Sequence, residues 1–279
     1  MGQIQEQTLA RSVTYRGIGL HTGVEITVRV SPAEPGTGIV FCRTDLPNQP
    51  LIEAKVANIT STLRCTTIGL NEQVQVKTIE HLMAAFVGLN IDNAKVELDN
   101  GEVPVTDGSS AVWVQLFKEA GLIEQEQPRK VGVLQEPLWV EEGSARLIAL
   151  PAENLQVSYL FTSENQLVGN QFVEIVVNPD NFTDQIAAAR TLAFAKEVEY
   201  LRKQGLALGG NLEIAVVIDS DRYLNPLRYA DEVARHKALD LIGDLGLVGP
   251  LKAHIIGMRS GHSLNAQLGA KLNAAVKGC

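Results

Sequence analysis

The sequence predicts an α+β chain built in two halves, and three observations carry that reading. In residues 24–98 short segments of strand character lie around one stretch of helical period; residues 124–130 are polar and hold a proline; beyond them the same plan returns. A chain of 279 residues exceeds one typical domain, and about 150 residues per domain gives roughly two.

Taken in order, residues 24–30 alternate apolar and polar side chains, the signature of a half-buried strand, and Ser31 to Gly36 break it with two prolines. Further strands are predicted over residues 38–43, 64–70, 73–77 and 93–98. From Thr78 the period becomes helical: Ile79, Leu82, Met83, Phe86 and Leu89 share one stripe, with Thr78 placed as N-cap. A second helix runs from Ser109 or Ser110 to Ala120 and stops at Gly121. The polar stretch Glu124 to Lys130 marks the boundary and divides the chain into residues 1–127 and 128–279. In the second half strands are predicted at 131–140, 145–150, 155–161, 172–177 and 212–218, and helices at 183–191, 196–204, 229–242 and 263–276. One echo links the halves: His81 is followed by Gly88, and His236 by Gly243, at the same spacing, and each of these helices leads into a strand.

Hydrophobic residues make up 45% and charged residues 20% of the chain, which excludes a mainly disordered protein. The net charge of −8, with no dense basic stretch, argues against nucleic acid as a partner. Cys42, Cys65 and Cys279 are odd in number and far apart, which supports neither a disulfide framework nor a CxxC metal site and fits a reducing compartment. No stretch has the length of a signal peptide core or a membrane span. A soluble, cytoplasmic protein is expected.

His236 and Asp240 stand four residues apart on one helix, so both project from the same face and could clamp a transition metal such as zinc. The same pair also suits an exposed polar face with a local hydrogen bond. Glu80 and His81 open another helix, where an acidic residue also suits the helix dipole. Together, two histidines and an aspartate supply three protein ligands and leave a fourth position open, as in catalytic zinc sites, with Glu80 free to act as a base. Asp244 extends the stripe by one turn, and the neighbouring Gly243 leaves room for close backbone approach. His262, just before a predicted helix, either takes its charge from a partner such as Asp244 and serves as a general acid, or belongs to a capping turn. His21, in the glycine-rich turn Gly17 to Gly23, is equally open to structural and functional readings, and His254 reads as a packed histidine of a strand.

The segments GIGLHTG (residues 17–23), RTDL (43–46), TIEHL (78–82), IDN (91–93), PVTDGS (104–109), ARTLAF (189–194), LALGG (206–210), HKALDLIGD (236–244) and SGHSLN (260–265) closely resemble one family. This is the bacterial zinc-dependent UDP-3-O-acyl-N-acetylglucosamine deacetylase of lipid A biosynthesis. The resemblance spans nearly the whole chain. It implies two similar domains, each a mainly antiparallel sheet with helices on one side, the helical layers packed face to face. It makes His81, His236 and Asp240 ligands of Zn2+, Glu80 the general base and His262 the general acid. It has Asp244 orient and charge His262, Lys237 meet the diphosphate or the charge developing near the metal, and Thr191 offer its hydroxyl to the oxyanion.

The implied partner is a UDP-linked acylated amino sugar, and a monomer is expected. The acyl chain is placed along Val198, Leu206 and Leu212, the uridine near Phe161, and further substrate contacts at Arg259 and Cys65. Leu192, Arg64 and Arg259 depart from the enterobacterial members, which carry an aromatic residue, an apolar residue and lysine there. The rival readings are a zinc deacetylase of another acylated amino sugar and a metal-stabilised binding protein without chemistry.

Overall fold

A computed structural model describes residues 4–276, so that Cys279 lies outside the described residues. The first half contains β1 (Val13–Ile18), β2 (Glu25–Pro32), β3 (Ile39–Arg43), β4 (Leu51–Glu53), α1 (Glu80–Gly88), β5 (Ala94–Leu98) and α2 (Ala111–Ala120). The second contains β6 (Leu138–Glu142), β7 (Ala145–Leu150), β8 (Leu155–Thr162), β9 (Asn170–Val176), α3 (Pro179–Gln185), α4 (Ala195–Lys203), α5 (Glu232–Leu245), β10 (Leu251–Met258) and α6 (His262–Ala275).

The sheets share one topology. In the first, the strand order is β1-β2-β5-β3-β4, with β5 antiparallel to β2 and parallel to β3. In the second it is β6-β7-β10-β8-β9, with β10 antiparallel to β7 and parallel to β8. In both, the last strand inserts at the centre, with one helix (α1 or α5) before it and another (α2 or α6) after it. The echo of His81 and His236 is thus matched by topology: both histidines sit on the helix that feeds the central strand.

Each sheet buries one face. The alternation read in residues 24–30 becomes β2, whose Ile26, Val28 and Val30 are fully buried while Glu25 and Arg29 face solvent. Leu147, Ala149, Val157 and Ile255 do the same in the second sheet. The helices fill the space between, joining both halves in one apolar core. Gly243 lets α5 lie directly on α1, because a Cβ there would meet the Glu80 carbonyl oxygen at 2.0 Å. At the C-terminal end of α1, Gly88 receives the buried ring of Phe182 from α3.

Four local expectations are corrected. Thr78 is not a cap: it sits at φ +58°, its hydroxyl donates to Glu102 at 2.9 Å, and α1 starts after Ile79. Residues 122–128 form a strand paired with Gln5–Leu9, hidden from the apolar pattern because its inward side chains, Gln125 and Gln127, pair with Asn93 and Glu6. The strand predicted at 131–140 is split into Gly132–Val133 and β6, with Pro137 lying between them. The helix predicted at 183–191 is α3, shifted back to Pro179 because the Asn178 side chain accepts from the Asn181 N–H and Pro179 suits the first turn.

Candidate active site

The start of α1 packs against the middle and later turns of α5, and this brings three separated side chains into one buried cluster. Asp240 Oδ1 lies 3.3 Å from His236 Nε2 and 3.6 Å from His81 Nε2. The two rings stand edge to face with centroids 5.0 Å apart. Zinc bonds of ~2.0–2.2 Å at tetrahedral angles separate neighbouring ligand atoms by about 3.3–3.6 Å, so both measured edges suit one shared ion. The polar bookkeeping agrees. Asp240 Oδ1, the atom that faces both Nε2 nitrogens, is buried without a hydrogen-bond partner, which is expensive unless a ligand completes it.

Protonation states fit the same purpose. Burial pushes the His236 imidazole down to about 3, leaving it neutral. Its Nδ1 faces the Ala189 carbonyl oxygen at 3.1 Å, which places the proton there and leaves Nε2 free to bind. Burial works against the Asp240 carboxylate, yet the Lys237 ammonium beside it holds it well below the usual carboxylate range. Lys237 Nζ donates to Asp240 Oδ2 at 2.7 Å. Its ammonium is therefore committed to the Asp240 carboxylate.

A second group of side chains adjoins this cluster. Glu80 is buried, which raises its carboxyl pKa against the pull of His262 and His81. Thr66 N–H donates to its Oε2 at 3.0 Å. One turn beyond Asp240, Asp244 Oδ2 lies 2.8 Å from His262 Nδ1 and accepts from Asn265 Nδ2 at 2.8 Å. Thr66 Oγ1 donates to Asp244 Oδ1 at 2.5 Å and sits 3.3 Å from His262 Nδ1. Although burial alone would lower it, Asp244 raises the His262 pKa to about 9. The ring is an imidazolium at neutral pH.

Thr191 is set from both halves: its N–H donates to the Gly108 carbonyl at 2.8 Å and its carbonyl accepts from Val216 N–H at 2.8 Å. Gly108, at φ +83°, leaves no room for a side chain, since a Cβ would meet Ile214 O at 1.7 Å. The preceding Arg190 is anchored by a buried ion pair with Glu232 at 2.8 Å, which ties this segment to the start of α5.

Two cavities meet at Lys237. One, of about 500 Å³, has Glu80, His81, His236, Asp240, His262 and Thr191 at its polar end. It continues between Val198, Leu201, Leu212, Ala215, Val217 and Leu224, which form an apolar passage. The other, of about 760 Å³, is lined by Phe161, Lys196, Arg259, Ser144 and Asp219, and it shares Lys237 with the first. Val198 and Leu212 thus line the passage; Leu206 is not among its lining residues, its N–H being turned to the Leu201 carbonyl. Cys65 lines neither cavity: its thiol is buried beside Thr67, and burial pushes it up to about 11. The neighbouring Arg64 does reach the first cavity. Thr66 and Asn265 had no role in the sequence reading; Thr66 carries no spacing signal because its partners lie 178 and 196 residues away.

A duplicated α+β scaffold that gathers two imidazoles and a carboxylate at the joint of its halves, beside a raised carboxylate and a charged imidazole, has the framework of a hydrolytic metalloenzyme. The sequence model of the UDP-3-O-acyl N-acetylglycosamine deacetylases matches residues 6–274. The chain belongs to that family. Among its relatives, a UDP-3-O-acyl-N-acetylglucosamine deacetylase of Citrifermentans bemidjiense is 44% identical over 272 residues, 96% of this chain and 89% of the relative. Proteins of the same name from a Nostoc species and from Myxococcus xanthus are 39% identical (97% of this chain and 99% of the relative) and 40% identical (96% and 86%). No helix among the described residues is long and apolar enough to cross a membrane.

Proposed function

We propose that this chain is a zinc-dependent amidohydrolase that cleaves the acetamide of UDP-3-O-acyl-N-acetylglucosamine, releasing acetate and the free glucosamine amine in lipid A biosynthesis. The observation that carries the reading is one cavity wall holding both a metal-spaced ligand set and two ionisable groups outside that set. His81, His236 and Asp240 would hold the zinc, which when bound polarises the amide carbonyl and acidifies a water toward pKa ~7.

The protein side chains supply the remaining steps. Glu80, made more basic by burial, takes the proton from the attacking water. His262, charged through Asp244, gives a proton to the departing amine. The Thr191 hydroxyl donates to the oxyanion. Lys237 stands where the two cavities join, between the reacting amide and the diphosphate. The second cavity takes the nucleotide, with Phe161 and Arg259 on its wall, and the apolar passage takes the acyl chain.

On this reading residues 1–127 bring the base and the first ligand, and residues 128–279 bring the clamp, the acid and the acyl passage. The protein works as a cytoplasmic monomer. The test is acetate release from the UDP-linked substrate by wild type and Glu80→Ala, with zinc measured in both. The variant should keep its zinc and lose about 10²–10⁴ in turnover. Unchanged turnover would remove Glu80 from the reaction.

A further inference from the structure

The turn Gly17 to Gly23 is wrapped around Glu102, which is fully buried. That carboxylate accepts from His21 N–H and Thr22 N–H at 2.9 Å each, from the Thr22 hydroxyl at 2.6 Å, and from Thr78. Gly19 leaves the space that the carboxylate fills, since a Cβ there would lie 2.3 Å from Glu102 Oε2. The turn is also sealed against residues 208–210: Gly209 N–H donates to the Leu20 carbonyl at 3.1 Å, and a Cβ on Gly209 would meet Gly19 O at 2.3 Å. All of these bonds engage the backbone, Thr22 or Thr78. None engages the His21 ring.

That ring lines the first cavity, is 9% exposed, and has both nitrogens buried without a hydrogen-bond partner. Asp240 Oδ1 in the His81–His236–Asp240 cluster shows the same signature. A position that only packed would be filled by an apolar side chain, because an unsatisfied buried polar group is destabilising. Burial lowers the imidazole's pKa, so the ring is neutral, with one N–H to donate and one nitrogen to accept.

The position of the ring decides what it meets. His21 is near enough to His262 and Arg64 to feel their charges, and its carbonyl faces the Leu208 N–H, on the segment that leads to Leu212. It therefore stands where the polar end of the cavity gives way to the apolar passage. In the proposed substrate the acetamide is on C2 and the acyl ester on C3, two bonded carbons. With the acetamide at the ligand cluster and the chain in the passage, the ester must cross this junction.

We propose that His21 is a substrate-contacting residue that donates a hydrogen bond to the carbonyl of the 3-O-acyl ester, reading the linkage rather than the chain. This rests on the deacetylase reading above. The test compares that ester with a 3-O-alkyl ether analogue of equal chain length, which keeps the chain and removes the carbonyl, in wild type, His21→Leu and His21→Gln. Wild type should prefer the ester by about 10-fold in kcat/KM, the scale of one hydrogen bond. His21→Leu should lose that preference, turning over ester and ether alike, and His21→Gln, whose amide can still donate, should keep part of it. The wild-type ratio needs no variant to fold, and melting temperatures check the variants. Wild type with equal activity on ester and ether, or His21→Leu with an unchanged ratio, overturns the proposal. Absence of acetate release from the ester by zinc-loaded wild type overturns the deacetylase reading and this inference with it.

Discussion

Gly243→Ala should damage the metal cluster without touching any of its ligands. A Cβ at this position would lie 2.0 Å from the Glu80 carbonyl oxygen, 2.8 Å from its carbonyl carbon and 3.1 Å from its Cα. All three are backbone atoms of α1, so no rotamer change relieves them. Restoring ordinary contact of about 3.4 Å requires α5 to retreat from α1 by roughly 1.4 Å. Alanine gains about 1 kcal/mol over glycine in helix propensity, whereas overpacking of this kind costs about 1–3 kcal/mol, so the net loss of stability should be modest. The geometric effect is larger. His81 and Glu80 travel with α1, while His236 and Asp240 travel with α5, and the His81 to Asp240 edge already measures 3.6 Å. Widening it by about 1 Å takes the ligand set beyond a tetrahedral zinc site, and misplacement of that size typically lowers turnover by about 100-fold. Chelator competition should show weaker zinc binding, alongside a near-normal thermal melt. Gly269→Ala in α6 is the control, since its Cβ would make ordinary contacts at 3.4 and 3.6 Å. A Gly243→Ala protein with wild-type zinc affinity and turnover would refute the argument that this close approach sets the cluster.

Two further outcomes follow from the roles proposed for His262 and Thr191. In protein stripped of metal, the folded His262 pKa of about 9 lies above its ordinary value near 6.5, so the His262–Asp244 pair stabilises fully below about pH 6.5. That contribution, about 3 kcal/mol, is lost as pH rises through about 9. Urea melts from pH 6 to 9.5 should show the decline in wild type and a flatter profile in Asp244→Asn; parallel profiles would contradict the pairing. Thr191→Val should lower turnover by roughly 10²–10³ with zinc content unchanged, and undiminished turnover would end the role given to its hydroxyl.

The parts of this molecule that could be read from its sequence are those governed by local period. The four-residue spacing of His236 and Asp240 is a property of one helix, and so is the further turn to Asp244. The need for glycine at position 243 was visible as well. Interactions between distant segments were not. Thr66 joins Glu80 over 14 residues and Asp244 and His262 over 178 and 196, and no strand or helix period encodes those meetings. Thr78 resembled a cap because its type and position suited one, but the buried Glu102 claims its hydroxyl instead. The strand at 122–128 escaped notice because its inward residues satisfy one another with amides and carboxylates, which a hydrophobic pattern does not register.

The shared strand order of the two sheets has a consequence for how many reaction centres the chain can carry. When α1 and α5 are aligned on His81 and His236, the positions matching Asp240 and Asp244 are Ala85 and Leu89, and the position matching Glu80 is Arg235. The two helices thus share the histidine and differ at the acidic positions around it. One helix carries Glu80 and the other Asp240 and Asp244, so a scaffold with two equivalent helix positions gathers one cluster, drawn from both. The strand order repeats, whereas the cluster exists only where the two helices meet.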